Sequence, residues 1–237
     1  MKRFICHLGS VMLAVVVSSC AFVTYKGEDH QDVGNVGESV EMAEKVYDVK
    51  EFNSIRCDIP ADITFTQGDP FVKIVTRESI LGAISVISDD EGHLIISRED
   101  GRTLKNVKKL EIAISANDLA DVTLNGAVDF SAEGSVSFGD FNLLSSGASD
   151  IEFESLKAAN VGLVINGTGD IGIDTIDCES LSIQINGAGS CEVSDGWAGN
   201  ASATIRGAGE IDLSDMSVGN FNYAVKGAGD VKKPRIK

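Results

Sequence analysis

From Asn125 to the C-terminus, apolar and polar residues alternate on either side of a glycine that recurs at a nearly fixed interval. The recurring glycines are Gly126, Gly147, Gly167, Gly187, Gly207 and Gly227, with spacings of 21, 20, 20, 20 and 20 residues. The position four residues after each glycine is apolar in every repeat: Phe130, Ile151, Ile171, Cys191, Ile211 and Val231. A period of two residues on both sides of a glycine predicts extended strands with one buried face.

A repeat of this length is too short for a propeller blade and lacks the signature of leucine-rich repeats. We therefore predict an all-β fold, a single-stranded parallel β-helix in which about 20 residues form each coil. Neighbouring coils should stack about 4.8 Å apart. The alternation predicts that the recurring glycines point inward at the bends, where a Cβ would crowd the core. It also predicts that Asn166 and Asn186 stack on the outer surface.

The segment before the regular repeats carries a less regular version of the same pattern. Asp62-Ile63-Thr64-Phe65 resembles Asp150-Ile151-Glu152-Phe153 of a later repeat. Further alternating stretches predict the strands 71–76, 84–88, 94–97 and 110–115. We interpret residues 47–237 as one β-helical domain, with irregular coils over 47–116 and regular repeats over 117–237. A division into two domains near residue 116 is the alternative.

The N-terminal segment has the features of a secretion signal. Lys2 and Arg3 precede an apolar run, Leu8 to Val17, which is too short to span a membrane comfortably. Residues 1–19 are therefore predicted to be a signal peptide. Val17-Ser18-Ser19-Cys20 resembles a bacterial lipobox, so Cys20 is the predicted lipid attachment site; an ordinary signal peptide is the alternative. Residues 20–46 are acidic and glycine-rich, which predicts a flexible tether.

Charge and residue inventory restrict the chemistry. The formal net charge of -16 argues against binding nucleic acid. The chain has three histidines, in the signal, in the tether and at position 93, so neither a histidine triad nor a histidine metal cluster can form. Cys57, Cys178 and Cys191 are odd in number, so they cannot form a complete set of disulfides, and Cys57 and Cys191 are predicted to be core residues. We identify no catalytic residue, cofactor, metal site or small-molecule substrate.

Acidic residues recur at one position of the repeats. They are Asp129, Asp150, Asp170, Glu210 and Asp230, with Ser190 interrupting the series. Stacked carboxylates in water repel each other weakly, by under roughly 1 kcal/mol per pair, so no bound cation is needed to explain them. We interpret the series as a solvated column and do not predict a calcium site.

The chain also resembles a known family, the bacterial head GIN domains, described as adhesin heads of autotransporters. The resemblance covers about residues 47–237. It depends on Phe52-Asn53-Ser54-Ile55, Ile63-Thr64-Phe65-Thr66-Gln67-Gly68, Gly92-His93-Leu94-Ile95-Ile96 and the repeated Gly-Ala-Gly-Asp corners. The resemblance implies a right-handed single-stranded β-helix, a surface or envelope setting and no established catalytic residues. Nothing in the sequence resembles the membrane barrel of an autotransporter.

Together these features predict a non-enzymatic, lipid-anchored protein of the cell envelope. We expect it at the outer membrane, facing either the periplasm or the cell surface, and acting as an adhesin or scaffold. Its predicted partners are the membrane, through the N-terminal lipid, and an extended glycan or matrix polymer. The alternative is a β-helical enzyme, a lyase or hydrolase that acts on polysaccharide, since this architecture also hosts such enzymes.

Overall fold

The computed structural model describes residues 41–100 and 109–237, together with residues 24, 25, 102 and 104. Strands account for 73% of the described residues and helix for 2%, which confirms the all-β prediction. A single short helix among the described residues, α1, spans Glu78–Leu81. The strands are β1 Thr24–Tyr25, β2 Met42–Tyr47, β3 Ser54–Cys57, β4 Ala61–Gln67, β5 Phe71–Arg77, β6 Ile84–Ser88, β7 His93–Arg98, β8 Leu110–Ala116, β9 Asp121–Leu124, β10 Ala127–Ser137, β11 Asp140–Ser145, β12 Ala148–Ile165, β13 Thr168–Ile185, β14 Ala188–Val193, β15 Gly196–Asp212, β16 Ser217–Lys232 and β17 Arg235–Ile236.

The strands form a β-solenoid of about 6 turns with roughly 20 residues per turn. Successive coils pair in parallel with the register of the sequence repeat. Ile151 of β12 lies beside Ile171 of β13, which lies beside Cys191 of β14. The pairing continues through β15 to β16, where Ile211 lies beside Val231. This arrangement confirms the predicted single-stranded parallel β-helix.

The core consists of columns of apolar side chains inside the solenoid. The column predicted from the repeats is buried along its whole length, from Phe130 to Val231. In the middle coils it is reinforced by aromatic contacts: the Phe130 ring centroid lies 6.3 Å from that of Phe65 and 5.9 Å from that of Phe153. Since Phe65 belongs to β4 and Phe153 to β12, one core joins the irregular and the regular coils.

The corner glycines are required for a different reason from the one the sequence suggested. A Cβ on Gly187 would lie 1.9 Å from the carbonyl oxygen of Gly167, and a Cβ on Gly167 would lie 1.9 Å from that of Gly147. The obstacle is therefore the backbone of the preceding coil, and the prediction of a clash with the core is corrected. Coils stack at the spacing of a hydrogen-bonded sheet, which leaves no room for a side chain directed along the stack.

The N-terminal part adds antiparallel strands to the solenoid. β4 pairs in parallel with β10 and β8, and β3 pairs in parallel with β9 and β7, so both continue the coils. In contrast, β5 is antiparallel to β8 and β2, and β6 is antiparallel to β7. Helix α1 buries Ile80 and Leu81 at this end. One sheet runs through both parts, and β2 begins at Met42, before the predicted boundary at residue 47.

The last described coil is open by comparison. Phe221, Tyr223 and Val225 of β16 are in register with the buried Ala201, Ala203 and Ile205 of β15. Tyr223 is nevertheless 49% exposed and Val225 is 38% exposed. On the side away from β15, β16 pairs within the described residues only with β17, at Ser217 and Val218.

The predicted signal peptide, Cys20 and most of the tether lie outside the described residues, so lipid attachment stays a prediction. In the part of the chain that the structure covers, we find no helix with the length and apolar character needed to cross a membrane.

Candidate functional site

Exposed polar side chains form columns because each coil repeats the preceding one in register. The Asn186 amide donates to Oδ1 of Asn166 at 2.7 Å, which confirms the predicted stack. Arg206 extends it, with Nη1 donating to Oδ1 of Asn186 at 3.2 Å. The same device recurs elsewhere on the surface, where Asn220 donates to Asn200 at 3.1 Å. Equivalent positions of neighbouring coils thus present hydrogen-bonding groups at the regular spacing of a β-sheet.

A groove of about 560 Å³ crosses several coils at one bend of the solenoid. Lys157, Asp177 and Trp197 occupy equivalent positions of three successive coils. The Lys157 ammonium lies 3.2 Å from Oδ2 of Asp177, and Trp197 is 39% exposed. The groove is lined by Ser137, Phe138, Lys157, Ala158, Ala159, Asp177, Cys178, Glu179, Trp197, Gly199 and Asn200.

This groove combines an exposed indole with charged and amide groups across neighbouring coils. An indole offers a flat apolar surface together with an N–H donor. Glu179 and Asn200 provide oxygen and nitrogen atoms able to hydrogen-bond hydroxyl or amide groups. Such a site suits a ligand that extends along the stack better than a small molecule requiring enclosure.

Sequence reasoning did not identify this groove. The available signal was Trp197, the one tryptophan of the chain, at a repeat position where the preceding coils carry Asp177 and Lys157. Its neighbour Ala198 is buried, so the alternation of the strand directs Trp197 outward. The shape of the groove could not be predicted from that pattern, because the shape depends on how the bends of adjacent coils stack.

The acidic column is longer than the sequence indicated. Asp62 is in register with Asp129 and Glu111, so the column reaches the irregular coils. Burial raises the pKa of Asp62, and the neighbouring charge of Asp129 raises it further. Ser190, at the interruption, donates its hydroxyl to Asp170 at 2.6 Å. At the far end Lys232 lies 2.6 Å from Glu210, so part of the repulsion is offset within the column.

His93 is the first residue of β7, after the turn that follows β6, and lies near two carboxylates. Oδ1 of Asp89 accepts the backbone N–H groups of Glu91 and His93, each at 2.9 Å, and its Oδ2 lies 2.9 Å from Nδ1 of His93. The hydrogen bond and charge of Asp89 raise the pKa of His93. A carboxylate oxygen of Glu91 lies within 4.8 Å of the Asp89 carboxylate and of the His93 ring. The hydrogen bonds account for the arrangement as a side-chain-stabilised turn.

The three described cysteines are free and buried, which confirms the prediction that Cys57 and Cys191 are core residues. Burial raises the pKa of the Cys57 thiol to about 11 and those of Cys178 and Cys191 to about 12. A nucleophilic cysteine requires a thiolate near neutral pH. These side chains therefore contribute packing and no reactive group.

Comparison with known proteins agrees with this architecture. The family model described as "Putative auto-transporter adhesin, head GIN domain" matches residues 51–233. The chain belongs to this family. The resemblance seen in the sequence is thereby confirmed, and the family description fits a protein of the cell envelope or the extracellular space. No functionally curated protein matches the chain in sequence.

Solved structures of bacterial proteins share the fold. A putative adhesin from Bacteroides fragilis is 22% identical, with 81% of this chain and 96% of that chain covered and a TM-score of 0.63. One from Parabacteroides distasonis is 18% identical, with 80% of each chain covered and a TM-score of 0.74. One from Parabacteroides merdae is 15% identical, with 83% and 96% covered and a TM-score of 0.64. At these identities the likeness establishes the fold alone.

Proposed function

We propose that this chain is a lipid-anchored, non-enzymatic envelope protein that contacts a long glycan or matrix polymer as an adhesin or scaffold. The observation that carries the proposal is the groove at Trp197, which crosses successive coils and presents Lys157, Asp177 and Trp197 at equivalent positions. A polymer lying along the solenoid would meet an equivalent position at each coil. Each contact is weak, and many copies on one membrane would add to the avidity.

The family description and the solved adhesins support an adhesive function in general terms. An enzyme that cleaves polysaccharide would need acid and base groups set apart from the repeat. The acids of the column through Asp150 and Asp170 instead follow the register of the coils, and His93 is hydrogen-bonded to Asp89 at an exposed turn. We therefore favour binding over catalysis.

The proposed ligand binding is tested by incubating cells that display the full-length protein with an array of glycans and matrix proteins. A polymer that the parent protein binds is then used to compare the variants. Trp197→Ala should weaken binding of the retained polymer by about tenfold or more, the change expected when an exposed aromatic contact worth about 1.4 kcal/mol is lost. Ile87→Ala is the matched control, since Ile87 is also an exposed apolar residue, 52% accessible, and lies far along the chain in β6. Equal binding by Trp197→Ala and the parent would reject the groove.

A double variant tests the small outward residues that follow the corner glycines. Ala188 and Ala208 are exposed and in register, so arginine at both would project two bulky charges from this strip. Loss of adhesion by Ala188→Arg with Ala208→Arg, while Trp197→Ala still binds, would transfer the contact from the groove to this strip. Thermal unfolding of each variant checks that the fold is intact.

We further propose that Cys20 carries the lipid and that the residues between Cys20 and β2 separate the domain from the outer membrane. The lipobox-like residues Val17 to Cys20 support this part. Cys20→Ser should move the protein from the membrane fraction to the soluble fraction of the periplasm or the medium. A Cys20→Ser variant that stays in the membrane fraction like the parent would reject lipid attachment at this residue.

A further inference from the structure

The outer edge of β16 lacks the backbone partners that the preceding coils have. In those coils the corner carbonyls accept amides from the next coil: Ala188 donates to Gly167 at 3.1 Å and Ala208 donates to Gly187 at 3.0 Å. Gly227 is the equivalent residue of β16, and no described strand lies on its far side. An unpaired parallel edge of this kind is a template for another strand.

At the same edge, side chains are exposed at repeat positions that are buried in the preceding coils. Leu181, Ile183 and Ile185 of β13 are each at most 1% exposed, because β15 covers them. Their equivalents in β16 are Phe221, Tyr223 and Val225. The rings of Phe221 and Tyr223 stack with centroids 5.8 Å apart and form an aromatic surface at the end of the core, and the Lys233 ammonium lies over the Tyr223 ring, 4.6 Å from its centroid. A strand paired with β16 would cover this surface.

The charge at this end is opposite to that of the whole protein. Residues 226–237 contain five basic residues, Lys226, Lys232, Lys233, Arg235 and Lys237, and one acidic residue, Asp230, whereas the chain as a whole has a net charge of -16. Lys232 is paired with Glu210 and Asp212. Lys226 is in register with Arg206, so the next position along this column would lie beside Lys226, with Arg206 one coil behind it.

We propose that the open edge of β16 is a docking site for an extended acidic segment of a partner polypeptide, which adds to the sheet as a further strand. Apolar residues at alternate positions of the segment would cover Phe221, Tyr223 and Val225. Of the intervening acidic residues, the one opposite Lys226 would lie next to its ammonium. Opposite Gly227 the segment would need a glycine, because a Cβ there would clash with the Gly227 carbonyl oxygen, as a Cβ on Gly187 would with that of Gly167. A second copy docked edge to edge would bring two basic ends together, so charge favours the acidic partner.

The probe is a labelled synthetic peptide as long as the segment Phe221–Gly227, with valine at alternate positions, glutamate between them and a terminal glycine. A matched peptide has lysine in place of glutamate. Fluorescence anisotropy with the purified full chain should show binding of the glutamate peptide and at least tenfold weaker binding of the lysine peptide. Since the contact is partly ionic, the preference should decrease as salt is added.

Two substitutions and two controls locate the binding. Tyr223→Lys places a charge on the aromatic surface and Lys226→Glu reverses the charge of the edge; each should reduce affinity for the glutamate peptide at least tenfold. The controls are Val46→Lys, at a residue 57% exposed in β2, and Lys73→Glu in β5, which should leave affinity unchanged. Hydrogen exchange of the amides from Phe221 to Gly227 should slow when the peptide binds.

Several results would overturn the proposal. Equal affinity for the two peptides would reject recognition by charge, and no binding of either at millimolar concentration would reject docking of a strand. Sedimentation could instead show self-association that Tyr223→Lys abolishes and the glutamate peptide does not compete with. In that case the occupant of the edge would be a second copy.

Discussion

The two ends of this solenoid are built differently, although one core runs between them. At the N-terminal end, strands β2, β5 and β6 run antiparallel to their neighbours and helix α1 buries Ile80 and Leu81. At the C-terminal end the last regular coil leaves Tyr223 and Val225 partly exposed. The irregular coils thus use side chains and changes of strand direction to close the stack, and the regular coils depend on another coil to cover them.

The difference shows what sequence regularity provides and what it does not. An exact repeat makes every coil a template for the next, and nothing inside the repeat ends the stack. Ending it requires residues that depart from the repeat, as in the N-terminal part. Solenoids without such a cap expose an edge prone to pairing with other chains.

Phe130→Ala should destabilise both regions at once, by about 4 kcal/mol, because Phe130 contacts Phe65 on one side and Phe153 on the other. Chemical unfolding followed by fluorescence and by circular dichroism should show one transition, shifted equally by both probes. Phe71→Ala is the control; Phe71 is 37% exposed, and its loss should cost about 1 kcal/mol or less. Two separate transitions, only one of them shifted, would instead indicate two domains divided near residue 116.

The same substitution should have opposite outcomes at two glycines. Gly187→Ala should cost about 3 kcal/mol, because the new Cβ would lie 1.9 Å from the Gly167 carbonyl oxygen and the coils would have to separate. Gly68, between β4 and β5, has no atom within 4 Å of the position that a Cβ would occupy, so Gly68→Ala should be neutral or stabilise slightly. Free energies of unfolding measured in denaturant compare the two. Similar losses at both sites would contradict the role of coil stacking.

Serine in place of cysteine distinguishes the two regions on a smaller scale. The Cys57 thiol donates to the carbonyl oxygen of Ile59 at 3.3 Å, so the hydroxyl of Cys57→Ser retains a hydrogen-bond acceptor and the substitution should cost about 1 kcal/mol or less. Cys191 lies among apolar side chains of the repeat and is 1% exposed. Cys191→Ser should therefore cost about 2 kcal/mol, the penalty of a buried hydroxyl. Thermal and denaturant unfolding give the order, and the reverse order would contradict this account.

The smallest effect concerns pH and belongs to the N-terminal region. Because Asp89 raises the pKa of His93, the pair stabilises the fold below the unfolded-state pKa of histidine, about 6.5. This contribution is lost as the pH rises through the higher folded-state pKa. At lower pH it is lost again as Asp89, whose pKa is lowered by its hydrogen bonds to the His93 backbone and ring, becomes protonated.

His93→Gln should accordingly be less stable than the parent at about pH 6 and approach it above the folded-state pKa of His93. Unfolding in denaturant at several pH values measures the difference. Asn186→Ala in the repeats, which contain no histidine, is the control and should show a difference that does not change over this range. A constant difference for His93→Gln as well would mean that the ion pair contributes nothing.

Much of the fold could be predicted from the sequence because the same alternating pattern occurs in several successive repeats. The alternation around Gly147, Gly167 and Gly187 predicted the strands, the parallel stacking and the buried column through Ile151 and Ile171, and the structure confirms them. The burial of Cys191 followed from its place in the same column. The alternating pattern recurs every 20 residues, so equivalent positions of successive coils form columns. Each column must be buried or exposed as a whole, which leaves few alternative folds.

The sequence did not reveal the groove at Trp197, the antiparallel strands of the N-terminal end or the true obstacle at the corner glycines. Each depends on distances between residues that belong to different coils. The groove arises where the bends of several coils stack, and the contact of a Gly187 Cβ with Gly167 arises from the spacing between two coils. Alternation specifies which face a side chain occupies. Only the stacked structure decides what lies opposite that side chain and how close it comes.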